Sequence, residues 1–154
     1  MTYRLCKRFT VESGHMLSKH PGRCRFPHGH TRTIEVVVAC QALDSMDMVL
    51  DFKALKLALR DTIRAYDHAL VMNSQDPFLP SVQAMHPDAV VIYESEDPTT
   101  EVMARRIFEE ATSILASGWR GAEDGISYQI DAGRVWLERI RVWETPTSWA
   151  EVGV

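Results

Sequence analysis

Cys24-Arg25-Phe26-Pro27-His28-Gly29-His30 runs directly into Thr31-Arg32-Thr33-Ile34-Glu35-Val36-Val37-Val38-Ala39-Cys40-Gln41. Residues 31–41 read as a strand, with Ile34, Val36 and Val38 on one face. If the strand already begins at the histidines, period-two geometry aims His28 and His30 at the same side, and Gly29 adds no bulk on the other. Neutral imidazole is the usual zinc ligand, and a tetrahedral site needs at least a third protein ligand. His15 is the obvious supplier, because it ends a first strand-like segment able to pair with this one. Three histidines leave one position for water or substrate, the catalytic arrangement. The Cys24 thiol beside such an ion suggests polarisation of a substrate oxygen coupled to proton transfer.

A bare His-x-His also recurs by chance. Its weight here comes from the joint presence of His15, Cys24 and the acidic residues downstream. His20 and His86 each precede a proline in expected loops and are given no role. Cys24 sits among Arg23, Arg25 and His28, an electropositive setting that favours thiolate. Cys6 and Cys40 fall in apolar strand-like runs and read as small buried hydrophobes.

Outward from this stretch, residues 3–11 read as another strand. Asp51 opens a helical pattern in which Phe52, Leu55, Leu59, Ile63 and Tyr66 form one apolar stripe, ending near Asp67-His68. Residues 74–97 form a Pro- and Ser-containing connection whose run 89–93 has strand character. Asp97-Pro98 reads as a helix start, with Asp97 as N-cap and Pro98 in the first helical position. Met103, Ile107, Ala111, Ile114 and Leu115 then supply a second buried stripe. Gly118, Gly121 and Gly125 mark a loop. Residues 126–131 and 134–143 read as a hairpin turning at Ala132-Gly133, with Arg134, Arg139 and Arg141 on its solvated face. Strands grouped at the ends and helices in the middle predict an α+β fold: an antiparallel four-stranded sheet with two helices on one face.

The chain of 154 residues, 45% hydrophobic and 25% charged, has the composition of one ordinary globular domain, 1–154. Its net charge of −4 argues against nucleic acid as the main partner. No stretch has the apolar length of a membrane span, and the N-terminus lacks the apolar core of a signal peptide, which predicts a cytoplasmic protein. Three cysteines in a reducing compartment do not form a disulfide framework.

With these pieces in order, the chain resembles the 6-pyruvoyl-tetrahydropterin synthase and 6-carboxytetrahydropterin synthase family. The matching pieces are Phe9-Thr10-Val11-Glu12-Ser13-Gly14-His15, Cys24-x-x-x-His28-Gly29-His30, Leu50-Asp51-Phe52-Lys53, Asp67-His68, Pro98-Thr99-Thr100-Glu101 and Trp143-Glu144-Thr145-Pro146-Thr147-Ser148. The resemblance implies a tunnelling fold, in which the sheets of several subunits join into barrels and active sites are shared between subunits. It implies zinc, one ion per subunit, on His15, His28 and His30. It further implies a catalytic thiol at Cys24, completed by Asp67 and His68. Glu144 would grip the pterin ring, and Thr99, Thr100 and Glu101 would line its pocket. The implied substrate is 7,8-dihydroneopterin triphosphate, and the implied assembly a homohexamer built as a dimer of trimers. Lys19, Arg23, Arg25 and Arg32 are candidate triphosphate contacts by charge and position.

Each assignment has a plainer alternative. Asp67-His68 could cap a helix, Thr99 to Glu101 could be an ordinary first turn, and Glu144 a solvated carboxylate at a strand end. Ser13-Gly14 replaces the two alanines usual in the family, and segments 74–97 and 116–125 look longer than in its compact members. Three residues between Cys24 and His28 resemble the bacterial 6-carboxytetrahydropterin type, whereas animal pyruvoyl synthases typically have five. The expected activity is therefore a zinc-dependent 6-carboxy-5,6,7,8-tetrahydropterin synthase of queuosine (deazapurine) biosynthesis, releasing acetaldehyde and triphosphate. The rivals are a 6-pyruvoyl synthase, a zinc hydrolase and a non-catalytic pterin-binding relative.

Overall fold

Two long antiparallel strands, β1 (Tyr3–His15) and β2 (His28–Cys40), form the spine of the protein in the computed structural model, which describes all residues, Met1–Val154. They pair without a break from Tyr3 opposite Cys40 to His15 opposite His28. Ile34, Val36 and Val38 on β2 are fully buried beneath the helices. Even-numbered positions early in β1 face the other way. Cys6 is therefore exposed, contrary to the expectation from its apolar neighbours, while Cys40 is buried as expected.

Helix α1 (Phe52–Arg64) starts where Asp51 accepts a hydrogen bond from the Lys53 N–H at 2.6 Å, a side-chain N-cap. It buries Leu55, Leu59 and Ile63, while Phe52 is exposed at the first position and Tyr66 is buried beyond the helix end. Asp51→Ala should lower stability by about 1 kcal/mol in chemical denaturation, since one orphan N–H of the first turn loses its acceptor.

The chain after α1 departs from the expected loop. His68, with a left-handed φ of 57°, leads into β3 (Ala69–Asn73), which pairs in parallel with Ser13–His15 at the end of β1. A short helix, α2 (Leu79–Met85), precedes β4 (Val90–Tyr93), itself parallel to β3. The run at 89–93 is thus an edge strand.

Helix α3 (Thr100–Ser117) is capped by Thr99, whose hydroxyl accepts from the Val102 N–H at 3.2 Å. Asp97 is not the cap, and Pro98 precedes the helix. The Asp97 carboxylate is already committed to the Ser18 hydroxyl, the Lys19 N–H and the Asn73 amide. Helices α1 and α3 pack together over the sheet, joined at one point by Thr62 donating to Glu110 at 2.8 Å.

The expected hairpin of 126–131 with 134–143 does not form. Strand β5 (Trp119–Glu123) lies in the stretch read as loop and pairs instead with β6 (Ile126–Ile130). Asp124 and Gly125 both have positive φ, 52° and 76°, the conformation a two-residue hairpin turn of the primed type requires. Strand β7 (Trp136–Thr145) pairs with β2 and with β8 (Ser148–Gly153), a strand not anticipated. A bulge opposite Val37 and Val38 adds one residue, so that Leu137, Ile140 and Val142 all reach the core. Arg139 and Arg141 are half-buried and pair with Glu151 on β8, and Arg134 donates to the Val49 carbonyl rather than extending into solvent.

The main sheet has the order β4-β3-β1-β2-β7-β8. Its antiparallel run β1-β2-β7-β8 with helices on one face is the expected α+β arrangement, although 126–131 contributes to a separate two-stranded sheet. The parallel pair β3–β4 extends the main sheet at the histidine-bearing end of β1.

Candidate active site

Pairing β1 to β2 brings the three histidines together. His15 and His28 are cross-strand partners, and His30 lies two residues further along β2 on the same face. Ring centroids are 4.4 Å apart for His15 and His28, and 5.2 Å for each pair involving His30. One nitrogen from each ring lies within 4.8 Å of the other two.

The hydrogen bonds fix how two of the rings are used. His15 Nδ1 donates to the Pro98 carbonyl at 2.8 Å, and His28 Nδ1 donates to the Phe26 carbonyl at 2.7 Å. A carbonyl oxygen can only accept, so Nδ1 carries the proton and Nε2 keeps its lone pair. His30 Nε2 is buried without any hydrogen-bond partner. An unpartnered ring nitrogen beside two others that keep their lone pairs, His15 Nε2 receiving only a long 3.5 Å contact from Arg32, fits a borderline metal such as zinc, which binds neutral imidazole. Burial pushes His15 down to about 4 and also lowers His30, so protons do not compete for either ring at neutral pH.

Arg32 and Glu144 close one side of this cluster. Arg32 was grouped by charge with Lys19, Arg23 and Arg25 as an anion contact. The latter three are exposed, but Arg32 is fully buried beside the histidines. It continues the His28, His30, Ile34 parity of β2, and that register is the signal that places it inward. Its guanidinium donates to the Thr100 hydroxyl at 3.1 Å and lies 3.2 Å from His15 Nδ1. Thr100 in turn donates to Glu144 Oε1 at 3.0 Å. The same oxygen stands 3.6 Å from both His15 Nε2 and His30 Nε2, and 3.7 Å from Arg32. Thr100 is thus drawn into the cluster, Thr99 serves as the cap of α3, and Glu101 is exposed.

Cys24 lies half-buried in a 3-10 turn, Arg23–Arg25, tied down by the Leu17 N–H donating to its carbonyl at 3.0 Å. Asp67 and His68 form a pair at 3.2 Å, with Asp67 also accepting from the Glu12 N–H. Both are exposed, and neither hydrogen-bonds to Cys24 within the chain. His68 borders a shallow groove with Gly14, Gly29 and His30. One chain therefore assembles the histidines with Glu144, while no hydrogen bond links the thiol to the Asp-His pair.

The chain is similar to known proteins over nearly its whole length. The 6-carboxy-5,6,7,8-tetrahydropterin synthase of Aquifex aeolicus is 29% identical, with 98% of each chain covered. The enzyme of the same name from Haemophilus influenzae is 26% identical, with 97% of each covered. Among solved structures, an uncharacterized protein from Wolinella succinogenes superposes with a TM-score of 0.78 at 20% identity, covering 99% of this chain and 98% of that one. The 6-pyruvoyl tetrahydropterin synthase of Caenorhabditis elegans superposes at 0.66 and 17% identity, covering 100% and 96%. These structures share the fold. The sequence model for 6-pyruvoyl tetrahydropterin synthase matches residues 4–153, taking in both histidine strands, α3 and the Glu144 strand, and so this chain belongs to the 6-pyruvoyl tetrahydropterin synthase family.

Proposed function

We propose that the protein is a zinc-dependent 6-carboxy-5,6,7,8-tetrahydropterin synthase that cleaves the side chain of 7,8-dihydroneopterin triphosphate, releasing acetaldehyde and triphosphate, in queuosine biosynthesis. The observation that carries this reading is the convergence of three imidazoles, one with a buried unpartnered Nε2, in a chain whose full-length relatives bear that enzyme's name. His15, His28 and His30 would hold the ion, which when bound would supply Lewis acidity toward a substrate oxygen and its neighbouring C–H.

The remaining steps fall to the protein's own side chains. Cys24, as thiolate, removes a proton from the side chain of the substrate. The Asp67–His68 pair handles a proton at a second position, with Asp67 orienting the His68 ring through Nδ1. Glu144 accepts the two adjacent N–H groups of the pterin edge, while Thr99, Thr100 and Glu101 border the ring. Cys24 makes no hydrogen bond to the Asp-His pair within one chain, and a neighbouring subunit completes the relay. Unpaired edges support such an assembly: β8 ends the sheet, and β1 carries β3 only along Ser13–His15. Joining these edges between copies gives a closed ring, stacked as a dimer of trimers. No helix is long and apolar enough to cross a membrane, in keeping with a cytoplasmic enzyme.

Incubating the zinc-loaded protein with 7,8-dihydroneopterin triphosphate and weighing the pterin product tests the assignment. A product reduced to a single carboxyl carbon at C6 is expected. A product that retains all three side-chain carbons would make the protein a 6-pyruvoyl synthase instead.

A further inference from the structure

Glu144 stands beside two of the three clustered histidines, His15 and His30, at close to the spacing of ligands that share a metal ion. With zinc–ligand bonds near 2.0–2.1 Å, the ligand atoms of a tetrahedral site are about 3.4 Å apart. Glu144 Oε1 is 3.6 Å from two of the three free nitrogens, His15 Nε2 and His30 Nε2. Its position is not that of a loose surface carboxylate. Thr100 donates to the same oxygen at 3.0 Å, and the buried Arg32 cation lies 3.7 Å from it and donates to Thr100. Arg32 itself has few partners. Its Nε has no hydrogen bond although the residue is fully buried, so Glu144 is the nearest anion offsetting a cation removed from water. The two residues hold each other at the mouth of the histidine cluster.

We propose that Glu144 is a fourth protein ligand of the metal in the substrate-free enzyme, held there by Arg32 and Thr100, and that a pterin must draw it away to open the coordination position. This rests on the reading of Glu144 as the ring-gripping carboxylate. An anion engaged at the metal cannot offer both oxygens to the pterin edge. Ring capture and exposure of the fourth position therefore become a single movement of one side chain. Glu144 is about one-third exposed and lies near the end of β7, so a rotamer change suffices and no backbone shift is required. Arg32 acts as a positioning residue, through Glu144 and Thr100, and touches no reacting atom.

The test uses cobalt(II) and zinc(II) with the full-length protein, free of pterin. Cobalt(II) replaces zinc with similar geometry, and its visible absorption reports the ligand set. Glu144→Gln should change that spectrum and weaken zinc binding at least 10-fold, and Arg32→Met should do the same in smaller degree. Adding neopterin to the cobalt-loaded wild type should move its spectrum, as the carboxylate leaves. Circular dichroism separates misfolded variants from those that merely lost a ligand, and Glu144→Gln, at a partly exposed site, is the decisive one. An unaltered cobalt spectrum with zinc affinity within twofold of wild type in Glu144→Gln would overturn the proposal. That outcome, combined with metal loss in His30→Ala, would leave the three-histidine site intact. Failure of the wild type to bind either metal would overturn both.

Discussion

Replacing His30 with alanine is expected to leave the purified protein without zinc and without turnover. His30 Nε2 is the one buried ring nitrogen in the cluster that lacks any partner, and alanine removes the only group on β2 able to complete a triangle with His15 and His28. Two imidazoles and a carboxylate that is also engaged by Thr100 form a poor zinc site. Affinity should drop by far more than the 10–100-fold typical of losing an outer-shell partner. The fold should persist, because His30 lies at the solvent end of β2 and the core begins at Ile34. Elemental analysis checks the metal, expected at one zinc per subunit in wild type and near zero in the variant. Circular dichroism checks the fold. Full zinc occupancy in His30→Ala would remove the basis of the functional reading.

How much of this was legible in advance depended on the range of the interaction involved. The β1–β2 ladder and its histidines follow from period-two patterning, a local rule that both strands obey along their length. Helices α1 and α3 were visible in their apolar stripes. The start of α3 was misplaced because Asp97 and Thr99 both have N-cap chemistry, and only tertiary contacts to Ser18, Lys19 and Asn73 decide that Asp97 is used elsewhere. The β5–β6 hairpin did have a local signal in Asp124-Gly125, a stronger turn pair than Ala132-Gly133. Strand β3 had none of comparable strength. Five residues pair in parallel with the end of β1, and that partnership spans more than fifty positions in the chain. Arg32 shows the same limit within the site. Its charge and position suggested a triphosphate contact, and the parity of β2 carries it inward beside the histidines and Glu144.

Cys24→Ala separates the lyase from its rivals, and its expected effect is a loss of turnover of about 10²–10⁴-fold with zinc fully retained. That range corresponds to about 3–5 kcal/mol of transition-state stabilisation, the contribution of a positioned proton acceptor. Metal retention is expected because Cys24 lies on the 23–25 turn and is not part of the histidine cluster. The turn itself should survive, since it is held by the Cys24 carbonyl and by Phe26 N–H donating to the Arg23 carbonyl, bonds that do not involve the thiol. A zinc hydrolase, activating water at the ion, would keep most of its rate in this variant. A non-catalytic pterin-binding protein would bind dihydroneopterin triphosphate equally well with or without the thiol, and neither form would turn it over. Single-turnover measurements on zinc-loaded wild type and Cys24→Ala distinguish the three. A variant that keeps more than a tenth of the wild-type rate would take the thiol out of the mechanism and return the site to the hydrolase reading.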